Sequence, residues 1–235
     1  MRRLTLRLLT GVLTFAIGLL AFGLLRSSRP TTYEVLTDIP KRCEWPSSVG
    51  NDHATIRTDS HFPSVSFPDG VHGRLSTELY STVLDAMEEP WLYEFVGEDF
   101  EAYRFTWLRS FHPPVVIRVW KTQNDRCITT KKLERTLYYQ GPNPNVFQAK
   151  EMRPLTENEW AAFKELINLG AFWSMPTVER DSIGFDGAFW LMEGVSDRKY
   201  HVVTRQSPES GSYRETCLHL LKLSGLPIDK AHELY

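Results

Sequence analysis

Asp186, Glu193 and His201 are the residues of this chain whose types and spacing come nearest to an acid/base set. Two carboxylates can divide proton donation from proton acceptance, and an imidazole titrates close to neutral pH. Each residue also has a plainer role. Asp186-Gly187 is a turn signal, Glu193 is expected to face Lys199 across a hairpin, and His201 shares that side, so a solvated sheet face accounts for all three. Ser207, Ser210 and Ser212 surround Gly211, but the Gly-x-Ser-x-Gly elbow that exposes a nucleophilic serine is absent. Turn formation and capping of a following helix by Ser212 explain them. His53, His61 and His72 match no compact ligand spacing, and no Cys or carboxylate cluster completes them. Neither a Gly-rich phosphate loop nor a dinucleotide fingerprint occurs. No catalytic, cofactor-binding or metal-ligating residue is therefore expected. The remaining candidate is apolar. In the run 171–176, Phe172, Trp173 and Met175 follow a helix end; packing into the core is the ordinary fate of such residues, and an exposed arrangement would make them an interaction patch for a protein partner or the membrane surface.

Cys43, Cys127 and Cys217 are too widely spaced for a CxxC redox motif or a zinc ribbon. In an oxidising compartment any one of three pairings is open, and one thiol is left over.

Several elements must position these side chains. Leu75, Leu79, Val83 and Met87 recur at helical spacing before Pro90, which predicts an amphipathic helix over 75–89. Tyr103, Phe105 and Trp107 alternate with Arg104 and Thr106, and residues 115–120 are β-branched and aromatic, so two strands joined by a short turn are expected. Weaker strands are expected at 127–131, 137–140 and 146–152. In 155–160, Thr156 and Glu159 make a capping box and Leu155 with Trp160 a hydrophobic staple. That helix should run to about Leu169, with Gly170 ending it in the left-handed conformation. The next hairpin is expected to place Trp190 opposite Val202, so that Ala188, Trp190, Met192, Tyr200, Val202 and Thr204 share one apolar face around a turn at 195–197. A last helix begins at Ser212 and stops at Ser224-Gly225. Helix, strands, helix, hairpin, helix is the order of an α+β fold, an antiparallel sheet (meander plus hairpin) covered on one face by two or three helices.

The N-terminus follows other rules. Residues 8–25 carry no charge and lie between Arg2, Arg3 and Arg7 on one side and Arg26 on the other. About 18 helical residues span roughly 27 Å, close to the thickness of a bilayer's hydrocarbon core. Residues 4–25 are thus expected to enter the lipid bilayer as a single transmembrane helix, with the weak arginine bias placing the bulk of the chain outside the cytoplasm. A secretory signal peptide cleaved after Ala21-Phe22-Gly23 is the alternative, and sends the chain to the same compartment. The expected organisation is an anchor or signal peptide over 1–26, a Pro/Ser/Gly-rich linker over 27–73 and a globular domain over 74–235. Seven Trp, nine Tyr and thirteen Phe supply that domain with core material. A net charge of -2 without a basic stripe gives no reason to expect nucleic acid.

The stretches TWLRSFHPPVVIRVWK, AFWSMPT, FDGAFWLMEG and KYHVVTRQSPESGSYRETCLHLLKLSGL resemble a family of bacterial proteins without assigned function, some preceded by an apolar anchor. The resemblance covers roughly 103–226. It implies a bacterial cell-envelope setting and carries over no site residue. The expected function is a membrane-tethered extracytoplasmic module that binds a protein or another envelope component. A small hydrolase working through Asp186 and Glu193, and an immunity- or inhibitor-like module, are the alternatives.

Overall fold

Six antiparallel strands form one sheet in the order β4-β3-β2-β1-β5-β6. The computed structural model describes residues 43–46, 60–68, 71–96, 99–136, 146–179 and 187–227. The expected membrane segment, Asp186, His53 and the strand expected at 137–140 lie outside the described residues.

The chain enters through α1 (Val71–Ala86) and a 3-10 turn (Leu92–Phe95), then lays down β1 (Glu101–Arg109), β2 (His112–Lys121), β3 (Arg126–Leu133) and β4 (Phe147–Pro154) as a meander. After α2 (Glu157–Leu169) and a second 3-10 turn (Phe172–Ser174), β5 (Ala188–Ser196) and β6 (Lys199–Gln206) form a hairpin, and α3 (Ser212–Leu223) ends the described fold. β5 pairs with β1, so the hairpin extends the meander past its first strand. The fold is α+β, as the order of elements predicts.

Both faces of the sheet are covered, which corrects the expectation of helices on one face. Trp160, Phe163 and Ile167 of α2, with Tyr213, Cys217, Leu220 and Leu221 of α3, pack on Phe105, Trp107, Ile117, Trp190 and Met192. On the opposite face, Tyr80, Val83, Leu84 and Met87 at the end of α1 pack with Phe62 and Phe67 on Leu108, Val116, Leu191 and Val202. A third cluster closes one end of the sheet with Cys43, Leu92, Phe95, Phe100, Trp120 and Cys127. Cys43, Phe62 and Phe67, which lie in the stretch 27–73, are therefore buried in the core. Residues 115–120, apolar except for Arg118, are buried on both faces of the sheet, as a central strand covered on both sides is.

The second covered face also changes the hairpin. Trp190 lies opposite Arg205, Met192 opposite Val203, Glu193 opposite Val202 and Ser196 opposite Lys199. Tyr200, Val202 and Thr204 do share a face, but it is the α1 face, away from Trp190 and Met192. With both faces apolar, hydrophobic pattern alone does not choose the register, and the turn decides. Asp197 and Arg198 take φ of 49° and 60°, the two left-handed residues of a tight hairpin whose twist suits the strands.

The capping box of Thr156 and Glu159 is present as expected, and Leu155 and Trp160 are buried together. Two helix ends differ. Gly170 is right-handed, with φ of -73°, and Ala171 takes the left-handed position at φ of 50°. A Cβ at Gly170 would lie 3.0 Å from the Leu166 carbonyl oxygen and 3.4 Å from Ser212 Oγ, so this glycine permits close approach to α3. Ser212 is the first residue of α3 rather than its cap, a position held by Gly211.

Candidate functional site

The two described members of the acid/base set, Glu193 and His201, do not come together. Glu193 is wholly buried on the α1 face, whereas His201, paired with Gly194, lies on the opposite one. His201 Nε2 is 3.0 Å from the Met175 carbonyl oxygen, and its ring packs against Phe172 and Trp173. Glu193 is not across from Lys199 and not solvated; the assumption of an open face put it there. Ser207 acts in the turn, its Oγ accepting from the Ala188 N–H at 3.0 Å. His61 is buried, with Nε2 2.8 Å from Asp85 Oδ1; burial, then the nearby Arg104, lowers its pKa. Among the described residues no group of His, Cys, Asp and Glu is arranged to hold a metal ion. Cys43 and Cys127 form a disulfide with Cα atoms 5.7 Å apart, and Cys217 is a buried thiol whose pKa burial raises. Of the expected patch, Phe172 is buried in the core, and Trp173 and Met175 are half-buried against it.

Strand pairing collects Glu193, which sequence reading left facing water, with charges from three other strands and the segment after α1. Glu193, Arg104, Arg118 and Thr129 lie in one row across β5, β1, β2 and β3. The Arg104 guanidinium grips Glu193 in a bidentate pair, Nε to Oε2 at 2.7 Å and Nη2 to Oε1 at 2.8 Å. The Tyr200 hydroxyl donates to the same carboxylate at 2.9 Å. Above the row sits Glu89, 2.7 Å from Arg118, 2.7 Å from Lys131 and 3.6 Å from Arg104. Lys131 Nζ also donates to the Met87 and Glu88 carbonyls at 2.7 and 2.9 Å, and Arg104 Nη1 to that of Pro90 at 2.6 Å. These carbonyls belong to the segment 87–90 that follows α1. The cations therefore fasten the chain just after α1 to three strands.

Environment separates the two carboxyls. Burial alone would raise Glu89, but Arg118, Lys131 and Arg104 outweigh it and hold its pKa below the ordinary value. For Glu193 burial dominates and raises it, against the pull of Arg104. Burial lowers Arg118 to about 10. Trp45 closes this end, with the Arg118 guanidinium 4.0 Å from its ring centroid and Phe95, Phe100 and Trp120 edge-on around it. Glu89, Arg104 and Glu193 have no exposed side-chain surface, and none of these groups reaches the cleft described next. The network is a clamp.

A cleft of about 400 Å³ opens at the sheet end where β1 and β6 begin and β2 and β5 finish, lined by Asp99, Glu101, Lys121, Gln123, Ser196 and Asp197 with Phe100 and Thr122. It falls within the roughly 300–1,000 Å³ of small-molecule sites. Register builds its floor: Glu101 pairs with Lys121, and next to Ala102–Val195 it also adjoins Ser196. Glu101 does not turn to Lys121. Its carboxylate accepts from the Tyr103 hydroxyl at 2.7 Å and from Lys164 of α2, whose ammonium also lies 2.9 Å from the Tyr103 oxygen. Trp173 hydrogen-bonds the same hydroxyl. Burial, and then the Glu101 charge, raises Tyr103 well above its ordinary pKa and keeps it protonated. Gly194 makes this wall possible, since a Cβ there would lie 2.8 Å from Phe172 and 2.9 Å from Tyr103.

Sequence reading missed the cleft because 99–101 and 196–197 meet only through the β1–β5 pairing. The β2 run 115–120, apolar on successive residues apart from Arg118, was the available signal for the covered second face. Comparison with known protein families and with characterised proteins finds no match.

Proposed function

We propose that this chain is a membrane-tethered module of the bacterial cell envelope that holds its globular domain outside the cytoplasm and binds an envelope component through the cleft at the Glu101–Ser196 end of the sheet. The observation that carries the binding reading is the state of the cleft's side chains. Lys121 and Asp197 have no ion-pair partner among the described residues, whereas the charges on the α1 face are satisfied by one another. Two features support the compartment. The run 8–25 has the length and apolarity of a span, and Cys43–Cys127 is a linkage suited to an oxidising environment. Of the two carboxylates of the hydrolase alternative, Glu193 is sealed beside Arg104, which favours the binding reading.

A photo-crosslinking residue at Gln123, in the full chain in the membranes of the producing cells, tests the binding role. A discrete adduct at Gln123 that is absent with the same residue at exposed Asn168 of α2 is expected. Equal labelling at both positions, or none at Gln123, would overturn it. Alkaline phosphatase fused after Tyr235 tests the compartment, and an inactive fusion refutes the outward orientation.

A further inference from the structure

We propose that the cleft takes a small amine–phosphate zwitterion, the phosphate seated on Lys121 and Ser196 and the ammonium on Asp197 and Asp99. This rests on the reading of the cleft as a binding site and adds its ligand class. Lys121 stands directly opposite Glu101 in the β1–β2 pairing, the position where opposite charges normally meet. Lys164 and Tyr103 occupy that carboxylate instead. No carboxylate of the described residues lies within 4.0 Å of the Lys121 ammonium, although Arg126, next across the sheet, has its own partner in Glu157 at 2.5 Å. Across the floor, Lys121 on β2 and the Ser196 hydroxyl on β5 flank Glu101 on β1, whose charge Lys164 already balances, and neither Lys121 nor Ser196 makes a side-chain hydrogen bond to the described residues.

The rim has the opposite sign. The Asp197 carboxylate is exposed and makes no ion pair among the described residues, and Asp99 uses Oδ2 to accept from Gln123 Nε2 at 2.9 Å. A bare anion would meet these two carboxylates, and a bare cation would meet Lys121. A ligand carrying both charges satisfies floor and rim together. Such charge-assisted contacts are the strong class of hydrogen bond.

Calorimetric titration of the full chain in detergent micelles with phosphoethanolamine tests the inference, with ethanolamine and inorganic phosphate as single-charge probes. Saturable binding of phosphoethanolamine is expected, at least about tenfold tighter than either single-charge probe, and weakened about tenfold or more by Lys121→Gln and by Asp197→Asn. Asp197 is exposed and Lys121 half-buried at the last position of β2, and asparagine tolerates the left-handed backbone at position 197. Competition by phosphatidylethanolamine vesicles identifies a lipid source, and binding without such competition a soluble one; either supports the proposal. No saturable binding of phosphoethanolamine, equal binding of a single-charge probe, or unchanged binding by both variants overturns it. An adduct at Gln123 combined with that failure removes the ligand class alone, whereas loss of both removes the binding role as well.

Discussion

Glu88 and Glu89 are neighbours in sequence with opposite energetic fates. Glu89 has no exposed side-chain surface and meets Arg118 and Lys131 at 2.7 Å each, while Glu88 is 62% exposed and pairs with the half-exposed Lys150. Glu89→Gln keeps the shape and removes the charge, leaving three buried cations, Arg104, Arg118 and Lys131, with only Glu193 among them. Breaking a buried ion network by removing one partner costs about 3–5 kcal/mol, because the groups left behind remain desolvated without compensation. That is a large fraction of the roughly 5–15 kcal/mol by which a domain is stable. With an m-value of about 2–3 kcal/mol/M, the urea midpoint should fall by roughly 1–2.5 M. Glu88→Gln should change stability by less than about 1 kcal/mol, the scale of an exposed pair. The double variant Glu89→Gln/Arg118→Met should recover part of the loss, since it removes one of the stranded charges. Equilibrium urea unfolding followed by tryptophan fluorescence measures all three. A Glu89→Gln loss under about 1 kcal/mol, or one matching that of Glu88→Gln, would refute the view that Glu89 neutralises the strand cations.

Three further outcomes follow from the same contacts. Cys43→Ser opens a loop spanning 84 residues, which on a chain-entropy basis costs about 4–5 kcal/mol, read as a drop in Tm that reducing agent reproduces in the parent chain but not in the variant. Gly194→Ala pushes a Cβ to 2.8 Å from Phe172 and 2.9 Å from Tyr103, and overpacking of that kind should cost about 1–3 kcal/mol in urea unfolding; an unchanged midpoint would show that the wall gives way easily. His61 has a folded pKa below 6.5, so the unfolded chain binds the extra proton first: its contribution is complete above pH 6.5 and is lost as pH falls towards the folded pKa. Tm measured between pH 7.5 and 5 should therefore decline less steeply in His61→Gln than in the parent, and parallel curves would discount this residue.

Legibility followed the range of the interactions. The capping box at Thr156 and Glu159 and the staple of Leu155 and Trp160 were readable because every partner lies within one helical turn. The helix carrying Leu79 and Val83 was readable from period, although its bounds at Val71–Ala86, which leave Met87 just past its end, were not. The β5–β6 register failed on a specific point: the pattern assumes one wet face, and a sheet covered on both sides leaves the Asp197-Arg198 turn to fix the pairing. The same assumption turned Glu193 outward, where the structure buries it against Arg104. Gly170 looked like a left-handed terminator because glycine usually is one, but its use here is steric, against Ser212.

By itself the sequence determined what local chemistry and period can determine. It carries the α+β order of elements, the capping box at Thr156 and Glu159, strands of the meander, and an apolar run at 8–25 with the length to span a bilayer. Only the tertiary structure decided which charges are inside. Pairing β1 with β5 across a long sequence separation puts Arg104 beside Glu193, and docking the end of α1 lowers Glu89 between Arg118 and Lys131. The same pairing brings Asp99 and Glu101 to Ser196 and Asp197 and so forms the cleft. Such contacts depend on which strands become neighbours and which faces are dry, and a linear pattern of polar and apolar residues carries neither.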